Sequence, residues 1–200
     1  MLRIAAVATA VTVACIALMD EPFARWLATR QTYPAIWNRG IAWLEYAIGI
    51  EPWKWLGICV LVAGSIASLC IPRMRAHAPA WLLVTLTHLL ARNLTSWIKF
   101  GTGRLRPSEW LARGGDSWFR DGGYSFPSGH VVLVASLIVP LAVYPRTRPL
   151  LALVAFAMVA RVAVNAHFLS DALGALALVV LVTGLVRRAL PSPIRPASRR

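Results

Sequence analysis

The sequence is short of acid and of charge in general: 8 Asp and Glu stand among 200 residues, against 21 Lys and Arg, and only 14% of positions are charged. A disordered or solvated chain needs a far more polar composition. Here 58% of residues are apolar, above the roughly 45–50% of soluble domains. The 3 cysteines, Cys15, Cys59 and Cys70, all sit inside apolar runs, which excludes a disulfide scaffold and reads them as packing residues. No repeat or low-complexity tract stands out. The formal charge of +13 is carried between long apolar tracts, the pattern of an integral membrane protein. Basic charge and 9 tryptophans could also describe a single-strand nucleic-acid binder. The positions of the rings exclude it: Trp53 and Trp55 precede one apolar run, Trp81 opens the next and Trp97 closes it, which is where amphipathic rings settle at a membrane boundary.

Six runs approach the ~17–25 residues needed to cross a bilayer: Leu2–Met19, Trp53–Ile71, Ala78–Ile98, Gly129–Tyr144, Pro149–Phe168 and Ala172–Leu190. They predict an all-α bundle of six membrane helices over residues 1–190. Breakers separate the runs at Asp20-Glu21-Pro22, Glu51-Pro52, Ile71-Pro72, Gly101 to Pro107 and Tyr144-Pro145, and Pro140 predicts a kink in the fourth span. With the N-terminus inside, the inside segments hold Arg3, Arg73, Arg75, Arg146, Arg148, Arg187, Arg188, Arg195, Arg199 and Arg200 and no acid. Asp20, Glu21, Glu45, Glu51, Glu109, Asp116, Asp121 and Asp171 then all lie outside. Both termini are therefore expected in the cytoplasm. Arg3 with the apolar stretch around Ala8-Thr9-Ala10, and the weak lipoprotein-like Thr12-Val13-Ala14-Cys15, come too early for a cleavable signal, so an uncleaved first helix is expected. The outside segment from Asp20 to Trp55 carries Trp26, Tyr33, Trp37, Trp43 and Tyr46 and predicts short interfacial helices. Residues 191–200 are expected to be a disordered basic tail near anionic lipid.

Three segments place polar groups at the outside ends of these helices. Lys99-Phe-Gly-Thr-Gly-Arg104-Leu-Arg106-Pro107 resembles an anion cradle, with glycines that allow a tight bend, a lysine point charge and planar arginine forks. Alone it would read as a snorkelling interfacial cluster, but its position outside runs against the positive-inside bias. Ser125-Phe-Pro127-Ser128-Gly129-His130 puts Ser128 and Gly129 at the first turn of the fourth helix, where free amides hold phosphate; alone it is a turn with a helix cap. In the third segment Arg161, costly in lipid, calls for an anionic partner, and Asn165, His167 and Asp171 follow it. His167 and Asp171 are four apart, so a continuous turn would bring them to one face and fix the imidazole tautomer; alone this too is a structural pair.

Together the cations, two histidines and one aspartate suit phosphoryl transfer: the cations meet the transition-state charge, one His serves as nucleophile and the other protonates the leaving oxygen. One acid does not fit a two-metal site, and zinc on the two His and Asp171 is not expected.

These three segments resemble the type 2 phosphatidic acid phosphatase family, whose sites are similar to those of vanadium haloperoxidases and whose pattern is K-x6-R-P, P-S-G-H and S-R-x5-H-x3-D. The matching residues are Lys99 to Arg106-Pro107, Pro127-Ser128-Gly129-His130, and Ala160-Arg161 to His167 and Asp171. The departure is Ala160 where the family has Ser, which removes one hydroxyl. The resemblance implies a phosphohistidine on His167, oriented by Asp171, with His130 as acid and then base. Phosphoryl oxygens would be bound by Lys99, Arg106, Arg161, Ser128 and the Gly129 amide, with Arg104 a further contact. No metal or other cofactor and no obligate protein partner is implied. The implied substrate is a lipid phosphate or pyrophosphate, and the implied place is the outer face of a bacterial inner membrane. Rival readings are an anionic-lipid transporter, a lipid-to-lipid phosphoryl transferase and a haloperoxidase; the last is soluble in its known form, and this chain is built for lipid. His88, Arg92 and Lys99 fall roughly along one face of the third span, where Arg92 is read as a buried structural cation or a substrate-steering one. Trp110, Trp118 and Phe119 are expected to cover the site or anchor at the interface.

Overall fold

Every one of the six apolar runs contains a helix, the outside segment from Asp20 adds two more, and the loop that begins after Arg106 adds a third. The computed structural model describes residues 1–30, 32–48, 55–115, 119 and 122–190. Its helices are α1 (Leu2–Leu18), α2 (Asp20–Ala28), α3 (Pro34–Ala47), α4 (Leu56–Cys70), α5 (Ala78–Thr102), α6 (Pro107–Ala112), α7 (Gly129–Ile138), α8 (Leu151–Ala163) and α9 (Leu169–Ala189). No strand occurs among the described residues. The readings that rest on Glu51, Pro52, Trp53, Asp116, Trp118, Asp121 and residues 191–200 lie outside the described residues.

Helix α9 is long and apolar enough to cross a membrane, and two bent pairs bring the candidates to three: α1 with α2, bent by 62°, and α4 with the segment from Pro72 to Ala112, bent by 119°. Helix α7 is apolar but short. The apolar helices fit a membrane protein. Their outward faces are greasy: Val7, Val13 and Leu18 on α1, Val60 and Ile66 on α4, Val159 on α8 and Leu185 on α9 are all more than half exposed.

Several helices are shorter than their apolar runs, for local reasons. The fourth run leaves α geometry after Ile138, and Pro140 leads into a 3-10 turn at Leu141–Val143 instead of kinking a continuous helix. The fifth begins after a 3-10 turn at Pro145–Leu150 and ends at Ala163, because Asn165 takes a left-handed conformation (φ 53°). Pro22 does not stop the chain: it falls in the first turn of α2, where a missing amide hydrogen costs nothing. The third run outlasts its expected end by four residues and stops at Gly103, also left-handed (φ 53°).

Helix α7 is the centre. Seven of its ten residues are buried, and it packs against α5, α8 and α9. It is apolar all round because it meets protein on all sides. Helix α1 lies along α9, α4 along α5, and α3 rests on α8, where Trp37 tilts against Phe156 at 6.1 Å. Met1 and Leu2 sit against Gly184 near the C-terminal end of α9, whereas Asp20 meets Ser170 at its N-terminal end. Chain start and α9 end therefore share one end of the bundle. The C-terminal ends of α5 and α8 and the N-terminal ends of α7 and α9 meet at the other, and that end holds the site.

Candidate active site

A cavity of about 310 Å³ opens at this end of the bundle. Lys99 and Arg106 line one part of it, Gly129 and His130 the start of α7, and His167 the turn after α8. Residues from all three sequence segments thus border one space. Lys99 is steered by its ammonium, which donates to the carbonyl of Tyr124. Arg106 is exposed at the start of α6, where its amide donates to Glu109 Oε2 at 2.9 Å.

The N-terminus of α7 is prepared for an anion. The amides of residues 129 to 131 precede the first intrahelical bond, which runs from Val132 N to Ser128 O at 3.0 Å. Ser128 is fully buried, and its Oγ has no hydrogen-bond partner among the described residues. Its amide donates to Asp171 O at 3.0 Å, tying the second segment to the third. Arg161, near the end of α8, is half-buried with an Nε that also lacks a partner among the described residues. Neither side chain lines the cavity itself, but an unsatisfied buried hydroxyl at a helix start favours an anion there.

His167 lies in the turn between α8 and α9, outside both helices, and is 2% exposed. Its Nδ1 is 3.4 Å from Asp171 Oδ2 and 3.3 Å from Ser125 Oγ. Nε2 is the ring nitrogen left over. Burial pushes the imidazole below its ordinary value, and the nearby charges of Lys99 and Arg161 act the same way, against the upward pull of Asp171. A neutral ring with Nδ1 held by a carboxylate carries its proton on Nδ1 and a lone pair on Nε2.

Asp171 is fixed from several directions. Its Oδ2 accepts from Ser125 Oγ at 2.5 Å and from the Phe168 amide at 2.9 Å, while Oδ1 accepts from Arg104 at 2.7 Å. Here the expectation for Arg104 is corrected. Arg104 is fully buried, does not border the cavity, and extends between Asp171 and Asp20, which it meets at 2.6 Å. Gly103, in its left-handed conformation, turns the chain so that Arg104 points into the protein and Arg106 out of it. Asp20 also accepts from the Ser170 amide at 3.0 Å and from the Ser170 hydroxyl.

The loop that delivers Ser125 depends on Gly123. Residues 123 and 125 donate to Gly103 O at 3.0 Å and Arg104 O at 2.8 Å, and a Cβ on Gly123 would come within 2.3 Å of that second carbonyl. Gly123→Ala is expected to lower stability by about 1–3 kcal/mol through this backbone clash. It should also slow turnover by loosening Ser125 from Asp171. Thermal melting in detergent checks the first effect, and an unchanged melting temperature would show that this pairing is not tight.

Sequence reasoning missed four contributors: Asp20, Ser125, Ser170 and Glu45. Glu45, on the inner side of α3, lines the cavity and places Oε1 3.4 Å from His130 Nε2. Arg92, expected to be buried, is only half-buried and borders the cavity. Ala160 is buried on the α8 face that meets the core, so the hydroxyl absent there would have entered an apolar cluster. Trp110 is fully buried against Phe168 at 5.9 Å and is a packing residue, not a cover for the site. Comparison with curated proteins and with solved structures returns no match. The profile described as the PAP2 superfamily matches residues 80–194, a stretch that carries all three segments and more than half of the chain. The chain belongs to the PAP2 superfamily.

Proposed function

We propose that the protein is a membrane-embedded lipid phosphatase that works through a phosphohistidine without a metal ion. Membership of the superfamily indicates phosphatase activity on phosphoesters and a phosphate-bearing substrate. The observation that carries the finer reading is the placement of His167: its Nδ1 faces Asp171 and Ser125, and it borders the same cavity as Lys99 and Arg106.

In the first step the Nε2 lone pair of His167 attacks phosphorus as the bond to the lipid oxygen breaks, and His130 gives its proton to the departing alkoxide or phosphate. In the second step His130 takes a proton from water, the hydroxyl attacks phosphorus, the P–N bond breaks and inorganic phosphate leaves. Lys99, Arg106 and Arg161, with Ser128 Oγ and the Gly129 amide, would hold the equatorial oxygens, and their charge does the work a metal would otherwise do.

Six membrane helices, α1, α4, α5, α7, α8 and α9, would form the bundle, with α2 and α3 at the outer interface. The end opposite the site carries Arg73, Arg75, Arg146, Arg148, Arg187 and Arg188, which supports a cytoplasmic location for that end and for both termini. The site would then face outward, at the periplasmic side of a bacterial inner membrane.

The test is phosphate release by detergent-purified protein from lipid phosphates and pyrophosphates in excess EDTA, with alkaline quenching to trap labelled enzyme. EDTA-resistant release with an alkali-stable, acid-labile label supports the proposal. Release abolished by EDTA and restored by a divalent cation would overturn it, and lipid binding without release would favour a carrier.

A further inference from the structure

Among the cations that line the cavity, Arg92 is the one that neither the family pattern nor the chemistry above employs. It sits seven residues before Lys99 on α5, about 10 Å deeper along the helix at 1.5 Å per residue. Among the described residues its guanidinium makes no hydrogen bond or ion pair, although it is half-buried within a predominantly apolar helix. An arginine so placed costs about 2.5–3.5 kcal/mol on insertion scales, so it is expected to face a water-filled space or an anion.

Two cavities meet at this side chain. Arg92 borders the catalytic cavity and also a second one of about 290 Å³, whose wall is formed largely by Ile48, Leu56, Val60, Leu61 and Leu137. The polar neighbour in the second cavity is His88, one turn deeper, whose Nδ1 is held 2.8 Å from Ser136 Oγ. Neither Arg92 nor His88 has a carboxylate contact among the described residues. Glu45, the acid on the catalytic wall, is turned to His130. The order along the bundle is therefore Lys99, Arg106 and His167 at the outer end, Arg92 below them, and an apolar space beyond.

We infer that Arg92 forms a second anion subsite, which takes the phosphoryl group on the lipid side of the one attacked, so that the site is built for a lipid diphosphate. The inference rests on the lipid phosphatase reading. A terminal phosphoryl against His167 leaves the inner one pointing toward Arg92, and the hydrocarbon chain continues into the second cavity. A lipid monophosphate fills the outer cradle and leaves Arg92 with an ester or a bare methylene. Arg is suited to the task because its planar fork binds two oxygens of one phosphoryl group.

The experiment compares prenyl monophosphate and prenyl diphosphate of equal chain length, using full-length wild type, Arg92→Gln and Arg92→Lys with melting temperatures as folding controls. Arg92→Gln is expected to lose about ten- to a hundredfold in kcat/KM on the diphosphate, the loss typical of a charge-assisted hydrogen bond, and under about threefold on the monophosphate. Arg92→Lys should recover part of the loss. Equal losses on both lipids, or none on either, would overturn the subsite. Binding of the same two lipids to His167→Ala protein, with and without Arg92→Gln and followed by tryptophan fluorescence, reads the subsite without turnover. If wild type hydrolyses neither lipid, the phosphatase reading fails while a diphosphate-selective loss of binding still supports the subsite, and an unselective or absent loss still overturns it.

Discussion

His167→Ala is expected to abolish phosphate release, with kcat falling at least about 10⁴-fold, in a protein that melts near the wild-type temperature. Among the described residues the ring has two polar contacts, to Asp171 and Ser125, and both of those groups keep other partners when it is removed: Asp171 still holds Arg104 and the Phe168 amide, and Ser125 still donates to Asp171. Truncation thus removes the proposed nucleophile without stranding a buried charge. Asp171→Asn should be the more damaging change overall, although it alters a single atom. The carboxylate accepts bonds from Arg104, Ser125 and the Phe168 amide through its two oxygens, and an amide offers only one oxygen. Its NH₂ must then face donors or turn toward His167 Nδ1, where it would donate and drive the ring proton to Nε2, the atom proposed to attack phosphorus. A loss of about 10²–10⁴-fold is expected, on the scale seen when the aspartate of a Ser-His-Asp triad becomes asparagine, together with a lower melting temperature. Single-turnover release measured beside thermal melting separates the two variants. If His167→Ala retained a few per cent of wild-type turnover, His167 would not be the nucleophile.

The residues of the candidate site were legible where spacing is local. Lys99 and Arg106 stand either side of a glycine-broken turn, Ser128 to His130 open an apolar run, and His167 and Asp171 are four apart, so short spacing alone marks each segment. What spacing cannot mark is which group faces which. The resemblance ranks Arg106 above Arg104 but gives both to the phosphate, whereas Gly103 and the pairing of Gly123 and Ser125 with the turn direct Arg104 inward and Arg106 outward. His167 and Asp171 meet, but not as neighbours on one continuous helix: the histidine stands before the helix, and the aspartate reaches back to the Phe168 amide in its first turn. Asp20 and Ser170 lie 150 residues apart and are joined only by tertiary packing, for which periodicity carries no signal. Glu45 is one acid on a surface helix until α3 packs on α8. The helices were legible as apolar runs, and their ends less so, because prolines at 22, 140 and 145 enter first turns and 3-10 turns without merely ending helices.

Arg104→Met is expected to cost about 3–5 kcal/mol, the penalty of removing one partner from a fully buried ion cluster. Methionine preserves much of the side chain's length beneath Phe168, whose ring centroid lies 4.2 Å from the guanidinium carbon, so the variant isolates charge from packing. With the guanidinium gone, Asp20 and Asp171 face each other across a space without solvent, and both are fully buried. Asp171 would then lose the bond that holds its Oδ1, so activity should fall with stability, although Arg104 does not border the cavity. Asp20→Asn should be milder. Its remaining oxygen can still accept from the Ser170 amide, and Arg104 retains Asp171. In the double variant Asp20→Asn with Arg104→Met one of the stranded charges is absent, so its cost should be less than the sum of the two single costs by 1 kcal/mol or more, a coupling read from melting in detergent. Additive costs would mean that the pairing of Arg104 with Asp20 contributes no coupling of its own. The α2 helix would then be held to the turn that carries His167 by its apolar residues, and the ion cluster would not transmit the position of Asp20 to His167.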